Sequence, residues 1–308
     1  MTAVAGRAAA TGHLGPILCI CGAGALFALM TALIKLLGGR YAVPQIVFFR
    51  SAFAFVPLIP LIAAAGLGQT LRTDRPGVHA ARSLMGVTAM LLSFSGLQFL
   101  PIADATAISY ATPFFVTLMG IFLLGETVRL RRWAALIAGF LGVLIIVRPG
   151  ADSGVAPLGA FLAIAAAFFT AGVLTVIRRF GRYEKSLTIV VYFSLTCTLV
   201  SGAMLPFVWR TPDLPDLLLL IGCGLIGGTA QVLMTRAYQA APVSVLSPFD
   251  YTTMIWATLY GYLFWGDVPG LNVLAGTAIV AASGLYILYR EAQLGRPASP
   301  PKPPAERL

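Results

Sequence analysis

Residues 86–101 read GVTAMLLSFSGLQFLP, and residues 227–242 read GGTAQVLMTRAYQAAP. Gly, Thr, Gln and Pro recur at matching positions of the two stretches, which are offset by 141 residues. The same offset continues without a gap beyond both stretches and pairs Tyr110 with Tyr251. A repeat with so long a period predicts that the chain consists of two related halves.

The composition of the chain indicates what surrounds it. Of the 308 residues, 58% are hydrophobic and only 10% are charged, whereas a soluble domain carries about 25% charged residues. The charges are too few to cover a globule in water, so the surface of the protein must face lipid. A helix needs about 20 apolar residues to cross the hydrocarbon core of a bilayer. The sequence has ten runs of this kind: Leu14–Leu37, Pro44–Ala65, Val78–Leu100, Ala103–Leu124, Trp133–Val147, Leu158–Ile177, Leu187–Val208, Asp216–Tyr238, Val243–Trp265 and Leu271–Tyr289.

The positive charges predict the orientation of these runs, because cytoplasmic loops are enriched in Lys and Arg. With the N-terminus inside, sixteen of the 21 Lys and Arg residues lie on the cytoplasmic side, and two lie within helices. The three that remain outside are Arg40, Arg148 and Arg210. We therefore predict an integral protein of the bacterial cytoplasmic (inner) membrane with both termini in the cytoplasm.

Five helices in each half mean that the second half enters the membrane upside down. Inverted repeats are typical of secondary transporters, which bind substrate near the midplane between the halves. The predicted fold is an all-α polytopic membrane protein, with ten transmembrane helices in two inverted five-helix repeats around a central cavity. The predicted segments are a cytoplasmic N-terminal segment at 1–13, a first repeat at 14–148, an external linker at 149–157, a second repeat at 158–290 and a disordered Pro-rich cytoplasmic tail at 291–308.

Several short motifs follow one another in a recognisable order. Pro44 is followed six residues later by Arg50, Gly125-Glu126 closes the fourth run, and Ser247–Tyr251 lies in the ninth. In these motifs the chain resembles the EamA type of the drug/metabolite transporter superfamily. One departure is Gly266-Asp267, where the second repeat has Asp in place of Glu.

This resemblance implies alternating-access transport of a small metabolite without ATP hydrolysis. It leaves the substrate open among amino acids, amines and cofactor-like metabolites such as those resembling S-adenosylmethionine or riboflavin. The chain is then a secondary transporter whose partners are a small-molecule substrate and the lipid bilayer.

Asp250 is the strongest candidate for the binding site. It lies eight residues past Pro242, which places it about 12 Å into the membrane. A carboxylate at that depth is costly unless it is protonated or paired, and is functional by default. Tyr110 and Tyr251 lie nine residues past the matched prolines, so we expect them to meet near the midplane. We predict that Asp250 binds a cationic part of the substrate or the coupling proton, with a structural hydrogen bond as the alternative.

Two cations within the apolar runs are further candidates. Arg50 lies about 9 Å into the membrane from Pro44 and is expected either to attract an anionic group or to pair with Asp104. Lys35 lies two residues from the end of its run. It belongs to the substrate-binding or proton-coupling candidates, although its long side chain can also extend outward to the interface.

Four other residues are candidates for the surroundings of the predicted binding site. Gln231 and Trp256 are candidates for the wall of the cavity, with ordinary packing as the alternative. Pro113 and Pro248 are expected to interrupt the fourth and ninth helices and to free backbone carbonyls. Such interruptions suit a site that rearranges during transport.

A membrane-embedded enzyme and a channel are the alternative functions. The two histidines, His13 and His79, fall at predicted cytoplasmic helix ends, where they cannot form a Ser–His dyad within the bilayer. Asp250 has no close acidic neighbour for a metal, and no phosphate-binding glycine loop is present. We therefore expect no catalytic residue, no metal site and no cofactor, and the inverted repeat favours a carrier over a channel.

The remaining predictions concern partners. The net charge of +10 is spread between the apolar runs, so no nucleic-acid partner is expected. A stripe of small residues in the fifth helix permits close helix packing, and the fifth and tenth helices are candidates for a homodimer contact. The stripe comprises Ala135, Ala138, Gly139 and Gly142.

Overall fold

A computed structural model describes the chain at residues 2–73, 75–125, 130–147, 156–180, 186–241 and 243–293. These residues form fourteen helices, and each of the ten predicted apolar runs is helical over most of its length. The helices are α1 (Thr2–Gly38), α2 (Val43–Phe53), α3 (Phe55–Ala65), α4 (Leu67–Leu71), α5 (Pro76–Leu97), α6 (Ile102–Ser109), α7 (Thr112–Leu124), α8 (Leu130–Val147), α9 (Pro157–Phe180), α10 (Ser186–Val208), α11 (Leu214–Ala240), α12 (Val243–Asp250), α13 (Thr252–Trp265) and α14 (Leu271–Gln293).

Seven stretches of the described chain are long and apolar enough to cross a membrane. A helical membrane protein is thereby confirmed, whereas the number of ten spanning helices stays a prediction. Two further apolar helices, Leu136–Val147 and Leu271–Tyr286, are shorter. The seven stretches are Leu14–Gly38, Val43–Ala65, Pro76–Leu97, Ile102–Leu123, Pro157–Ile177, Leu187–Val208 and Leu214–Ala240.

Large apolar side chains cover the outside of the helix bundle. Phe122 is 79% exposed, Phe207 86% and Leu271 84%. Exposure of this extent would favour aggregation in water, but it suits contact with lipid. The composition and the surface therefore lead to the same conclusion about the surroundings of the protein.

Three of the predicted helices are interrupted within their length. The regular helical hydrogen bonding is interrupted at Ala54 between α2 and α3, at Tyr110 and Ala111 between α6 and α7, and at Tyr251 between α12 and α13. The φ and ψ angles of these residues stay in the right-handed helical region. The second and third interruptions coincide with the two matched tyrosines. Both tyrosines therefore lie at an irregularity in the helical hydrogen bonding, where two helical segments meet.

Proline explains the interruption before α7. Pro113 has no N–H group, so the carbonyl of Ser109 loses its helical hydrogen bond. The Thr112 hydroxyl donates to that carbonyl at 2.7 Å, and α7 begins at Thr112 with Pro113 in its first turn. Pro57 likewise lies in the first turn of α3. The sequence analysis did not predict the break at Ala54 that precedes this helix.

The ninth predicted helix is interrupted as expected, but three residues past Pro248. Helix α12 continues past residue 248 to Asp250, and the chain turns only at Tyr251. A helix can carry a proline at the cost of one backbone hydrogen bond. The residue at which the chain turns is therefore not fixed by the proline alone.

Helices from the two halves pack against each other throughout the bundle. Helix α1 packs on α11 and α13, α5 packs on α9 and α10, and α2 packs on α10 and α11. The largest buried apolar cluster lies among these helices and includes Ile34, Leu37, Ile46, Val47 and Cys223. The halves therefore share one core instead of forming separate units.

Glycine allows α8 and α14 to approach very closely. A Cβ atom at Gly142 would lie 2.8 Å from the Gly276 carbonyl oxygen, and a Cβ at Gly139 would lie 2.7 Å from the Ser283 hydroxyl. This face of the small-residue stripe is thus covered by α14 of the same chain. The predicted homodimer cannot use it, and a dimer through other faces stays a prediction.

The two helices that follow the tyrosine interruptions end in the same way. Gly125 after α7 has a φ of 65°, and Gly266 after α13 has a φ of 70°. The Gly125 N–H and the Gly266 N–H bond to the carbonyls of Gly120 and Gly261, respectively. Residues other than glycine seldom adopt this left-handed conformation, which accounts for Gly at both matched positions.

Candidate functional site

Asp250, Tyr110 and Tyr251 are close together in the structure. The ring centroids of Tyr110 and Tyr251 are 4.9 Å apart, so the expected contact between the two tyrosines is present. The Asp250 carboxylate lies within electrostatic range of both hydroxyls. We call these three residues, together with Tyr238, the tyrosine cluster.

Tyr238 links the carboxylate of this cluster to α11. Its hydroxyl donates a hydrogen bond of 2.9 Å to the Asp250 Oδ2 atom, and both side chains are half-buried. On the other side, the Tyr251 hydroxyl packs against Gly284 of α14 so closely that a Cβ atom there would overlap it. A carboxylate bonded to a phenol at a backbone interruption is able to hold a cation or a proton.

Arg50 lies in a different part of the bundle, between α2, α10 and α11. Its side chain is only 6% exposed, and a Cβ atom at Gly227 would lie 3.4 Å from its Nε atom. Arg50 and Gln231 line a small cavity with Phe193 and Ser194. The cavity has room for about one water molecule.

The expected ion pair between Arg50 and Asp104 is wrong. Among the described residues, ion pairs join Lys35 to Asp267 and Arg40 to Asp216, and none includes Arg50. Asp104 lies within electrostatic range of Lys35 and Asp267 instead. The sequence gives the depth of Arg50 and Asp104 in the membrane, but it does not show which neighbouring helix each side chain faces.

Lys35 is held at the end of the bundle that is predicted to face outward. Its Nζ atom lies 3.6 Å from the Asp267 carboxylate and 4.9 Å from the centre of the Trp265 ring. The Lys35 side chain is only 16% exposed and faces an acid, so a role in binding and extension toward the interface both stay predictions. A cation over an indole ring gains a further electrostatic attraction.

A second polar group lies at the same end of the bundle. Asp216, which is 3% exposed, forms an ion pair with Arg40 and accepts a hydrogen bond of 2.9 Å from the Tyr41 hydroxyl. Burial and the bond to Asp216 raise the pKa of Tyr41. The Asp213 side chain caps α11 by accepting a hydrogen bond from the Asp216 N–H at 3.0 Å.

Trp256 packs within α13 and against the core of the bundle. Its ring stacks on Tyr260 with centroids 6.4 Å apart, and it borders the largest apolar cluster. Within the described ranges no three His, Cys, Asp or Glu side chains come together in a way that could hold a metal ion. The candidate residues thus fall into separate groups, and Trp256 belongs to the packing of the bundle.

Tyr238, Asp216 and Arg82 were not singled out from the sequence. Tyr238 and Asp250 lie on either side of Pro242, so a reversal of the chain there could have predicted their contact. Asp216 begins a predicted helix next to a proline, and an acid in the first turn of a helix is favoured by the helix dipole. Arg82 lies six residues past Pro76, about 9 Å along α5, but was counted with the cytoplasmic charges.

A family model describing the EamA-like transporter family matches residues 14–148 and 157–289. The chain belongs to the EamA-like transporter family. The predicted family is thus confirmed, and so is transport of a small metabolite as the general function. This EamA-like transporter is an integral protein of the inner membrane, where it meets lipid and a small-molecule substrate.

Curated relatives resemble this EamA-like transporter over most of their length. The riboflavin transporter of Vibrio cholerae is 30% identical over 89% of this chain and 93% of its own length. The S-adenosylmethionine uptake transporter of Rickettsia bellii is 28% identical over 83% of this chain and 87% of its own length. The pseudopaline exporter CntI of Pseudomonas aeruginosa is 29% identical over 83% of this chain and 90% of its own length.

A solved crystal structure of a protein shares the fold. It superposes with a TM-score of 0.59 and covers 92% of this chain and 99% of its own chain, with 19% sequence identity. At this identity the likeness concerns the arrangement of the helices alone.

Proposed function

We propose that this EamA-like transporter moves a small metabolite by alternating access, without chemical conversion of the substrate and without ATP hydrolysis. In this proposal ten helices span the membrane as two inverted repeats, both termini are cytoplasmic, and Asp250 holds a cationic part of the substrate or the coupling proton. The observation that carries the proposal is the tyrosine cluster, in which a carboxylate lies beside two matched backbone interruptions.

The packing of the helices supports the inverted repeat. If α9 is the counterpart of α1 and α5 that of α11, the contact of α1 with α11 corresponds to the contact of α9 with α5. The contact of α1 with α13 likewise corresponds to that of α9 with α7. The matched interruptions at Tyr110 and Tyr251 and the matched glycine caps add to this support.

The interruptions supply a way for the halves to move. A helix that is divided into two parts can change direction at the division while each part keeps its own hydrogen bonds. Tyr110 and Tyr251 contact each other across the two divisions. Asp250 precedes one of them directly, so its distance from Tyr238 depends on the geometry of the turn.

The molecules named for the relatives support a small metabolite as the substrate of this chain. They transport riboflavin or S-adenosylmethionine, or export pseudopaline, and these names include both directions of movement. For this chain we propose an amino acid, an amine or a cofactor-like metabolite of the same class.

Transport by the purified protein in proteoliposomes tests the proposal. A panel of radiolabelled metabolites is supplied with and without a pH gradient, and each hit is repeated with Asp250→Asn. Asp213→Asn is the matched control, because Asn replaces Asp equally well as a helix cap and the position lies outside the tyrosine cluster.

Each role of Asp250 predicts its own result. If Asp250 carries the coupling proton, Asp250→Asn abolishes uptake driven by the pH gradient and retains exchange of substrate. If Asp250 binds the substrate, both activities fail, and binding weakens by about 1–3 kcal/mol through loss of a charge-assisted bond. A folded Asp250→Asn variant with the original rate and pH profile would contradict the assignment of the site.

A further inference from the structure

Among the described residues, two arginines of the bundle have no partner of opposite charge. The Nε atoms of Arg50 and Arg82 are both buried and have no hydrogen-bond partner. Arg50 is 6% exposed, and Arg82 makes one hydrogen bond, from Nη1 to the Ile189 carbonyl at 3.2 Å. Hydrogen-bonding capacity of both guanidinium groups is thus unused.

Phe193 of α10 lies against both arginines. The Arg82 guanidinium lies over the Phe193 ring, 5.1 Å from its centre, while the same ring lines the small cavity at Arg50. The Cys197 side chain, one helical turn further along α10, is within electrostatic range of both guanidinium groups. The two cations therefore face one region, and an aromatic ring lies between them.

The described part of the protein supplies no anion to this region. Asp216 and Asp267 form ion pairs with Arg40 and Lys35, and the Asp250 carboxylate is bonded to Tyr238. Burial of a cation without a partner is unfavourable. An anion from outside the described chain would offset this cost.

We propose that Arg50 and Arg82 form a binding site for an oxyanion, the carboxylate or phosphate group of the transported molecule. This inference rests on the proposed transport function and adds the chemical class of the substrate. A guanidinium group presents paired donors that match a carboxylate or phosphate. In this proposal Phe193 rotates away from the cavity so that both guanidinium groups reach the bound group. The Ser194 and Gln231 side chains of the cavity wall are further polar groups of the proposed site.

Binding of simple anions to the purified full-length protein gives the first test. Thermal unfolding is followed in sodium acetate, sodium phosphate and sodium chloride at equal ionic strength, for the original protein and for Arg50→Gln and Arg82→Gln. Arg72→Gln is the matched control, since Arg72 is an exposed arginine outside the bundle core. Arg50→Lys keeps the charge without the paired donors and serves if Arg50→Gln does not fold.

The expected result is a higher unfolding temperature in acetate or phosphate than in chloride. Both Gln variants lose this increase, and Arg72→Gln retains it. An equal increase in all variants would indicate an adventitious ion only and would overturn the proposal, as would the absence of any increase. The same comparison in vesicles of phosphatidylcholine and of phosphatidylglycerol identifies the source, because an effect of phosphatidylglycerol alone would assign the arginines to a lipid headgroup and overturn a substrate site.

Transport then separates this proposal from the proposed function. Each hit from the metabolite panel that has a carboxylate is compared with its amide in the original protein and in Arg82→Gln. We expect the original protein to prefer the carboxylate by about 10- to 100-fold, and Arg82→Gln to lose this preference. If no metabolite moves, the proposed function fails. If a metabolite moves and the preference is unchanged in Arg82→Gln, only the oxyanion site fails.

Discussion

Single residues show two ways in which a carboxylate is held in this membrane protein. Asp216 is buried beside Arg40 and Tyr41, so both its charge and its lone pairs have partners. Asp250 has a neutral donor, Tyr238. The first arrangement gives the carboxylate a cation and a hydroxyl as partners, whereas the second gives it a hydroxyl alone among the described residues.

The Tyr41–Asp216 bond predicts a dependence of stability on pH. The pKa of Tyr41 is raised from 10.0 by burial and by Asp216, so folding favours the protonated hydroxyl. The resulting stabilisation is complete below about pH 10 and is lost as the pH rises through the folded-state pKa. In thermal unfolding between about pH 7 and pH 11, the advantage of the original protein over Tyr41→Phe should stay constant and then shrink. Tyr262→Phe, at an exposed position, is the control, and an advantage that persists unchanged above pH 10 would contradict the prediction.

Residue positions along the membrane normal were easier to predict than residue partners. Depth follows from counting residues past a proline, and it correctly singled out the Tyr110–Tyr251 contact. The partner of Arg50 was predicted wrongly because Asp104 lies at a suitable depth on a helix that faces Lys35 instead. Hydrophobic runs that are apolar all round give no signal about which face of a helix meets which neighbour.

Helices were predicted well as apolar runs because lipid imposes both their length and their composition. Their interruptions were predicted less well. Pro113 marks a break closely, Pro57 was overlooked, and Pro248 lies three residues before the turn at Tyr251. A proline removes one hydrogen bond, but neighbouring hydroxyl groups such as Thr112 decide how the loss is accommodated.

The close contact of α8 with α14 predicts a strong effect from one methyl group. Gly142→Ala places a Cβ atom 2.8 Å from the Gly276 carbonyl oxygen, so the helices must separate, at a cost of about 1–3 kcal/mol. Gly222→Ala is the matched control, because a Cβ there meets no atom within 4 Å. We expect a clearly lower unfolding temperature in detergent for Gly142→Ala alone, and equal effects of the two variants would exclude the tight contact.

At the scale of the whole molecule, the internal repeat and the distribution of charge predict the topology. Fusions of a reporter enzyme at Ala151 and Arg182, which lie outside the described residues, should report the outside and the inside of the cell, respectively. The segregation of Lys and Arg provides the physical reason. Two fusions reporting the same side, or the reverse assignment, would contradict ten helices with cytoplasmic termini.

The ion pair between Lys35 and Asp267 should make the opening of this end of the bundle depend on ionic strength. The two residues belong to different halves of the chain and are partly accessible, at 16% and 34%, so opening this end of the bundle must separate opposite charges in contact with electrolyte. Screening lengths fall from about 10 Å in 0.1 M salt to about 3 Å in 1 M salt. Substrate release at this end should therefore accelerate with salt in proteoliposomes, and Lys35→Gln should remove that acceleration. If this end faces outward as proposed, the contact would couple the conformational equilibrium to the salinity outside the cell.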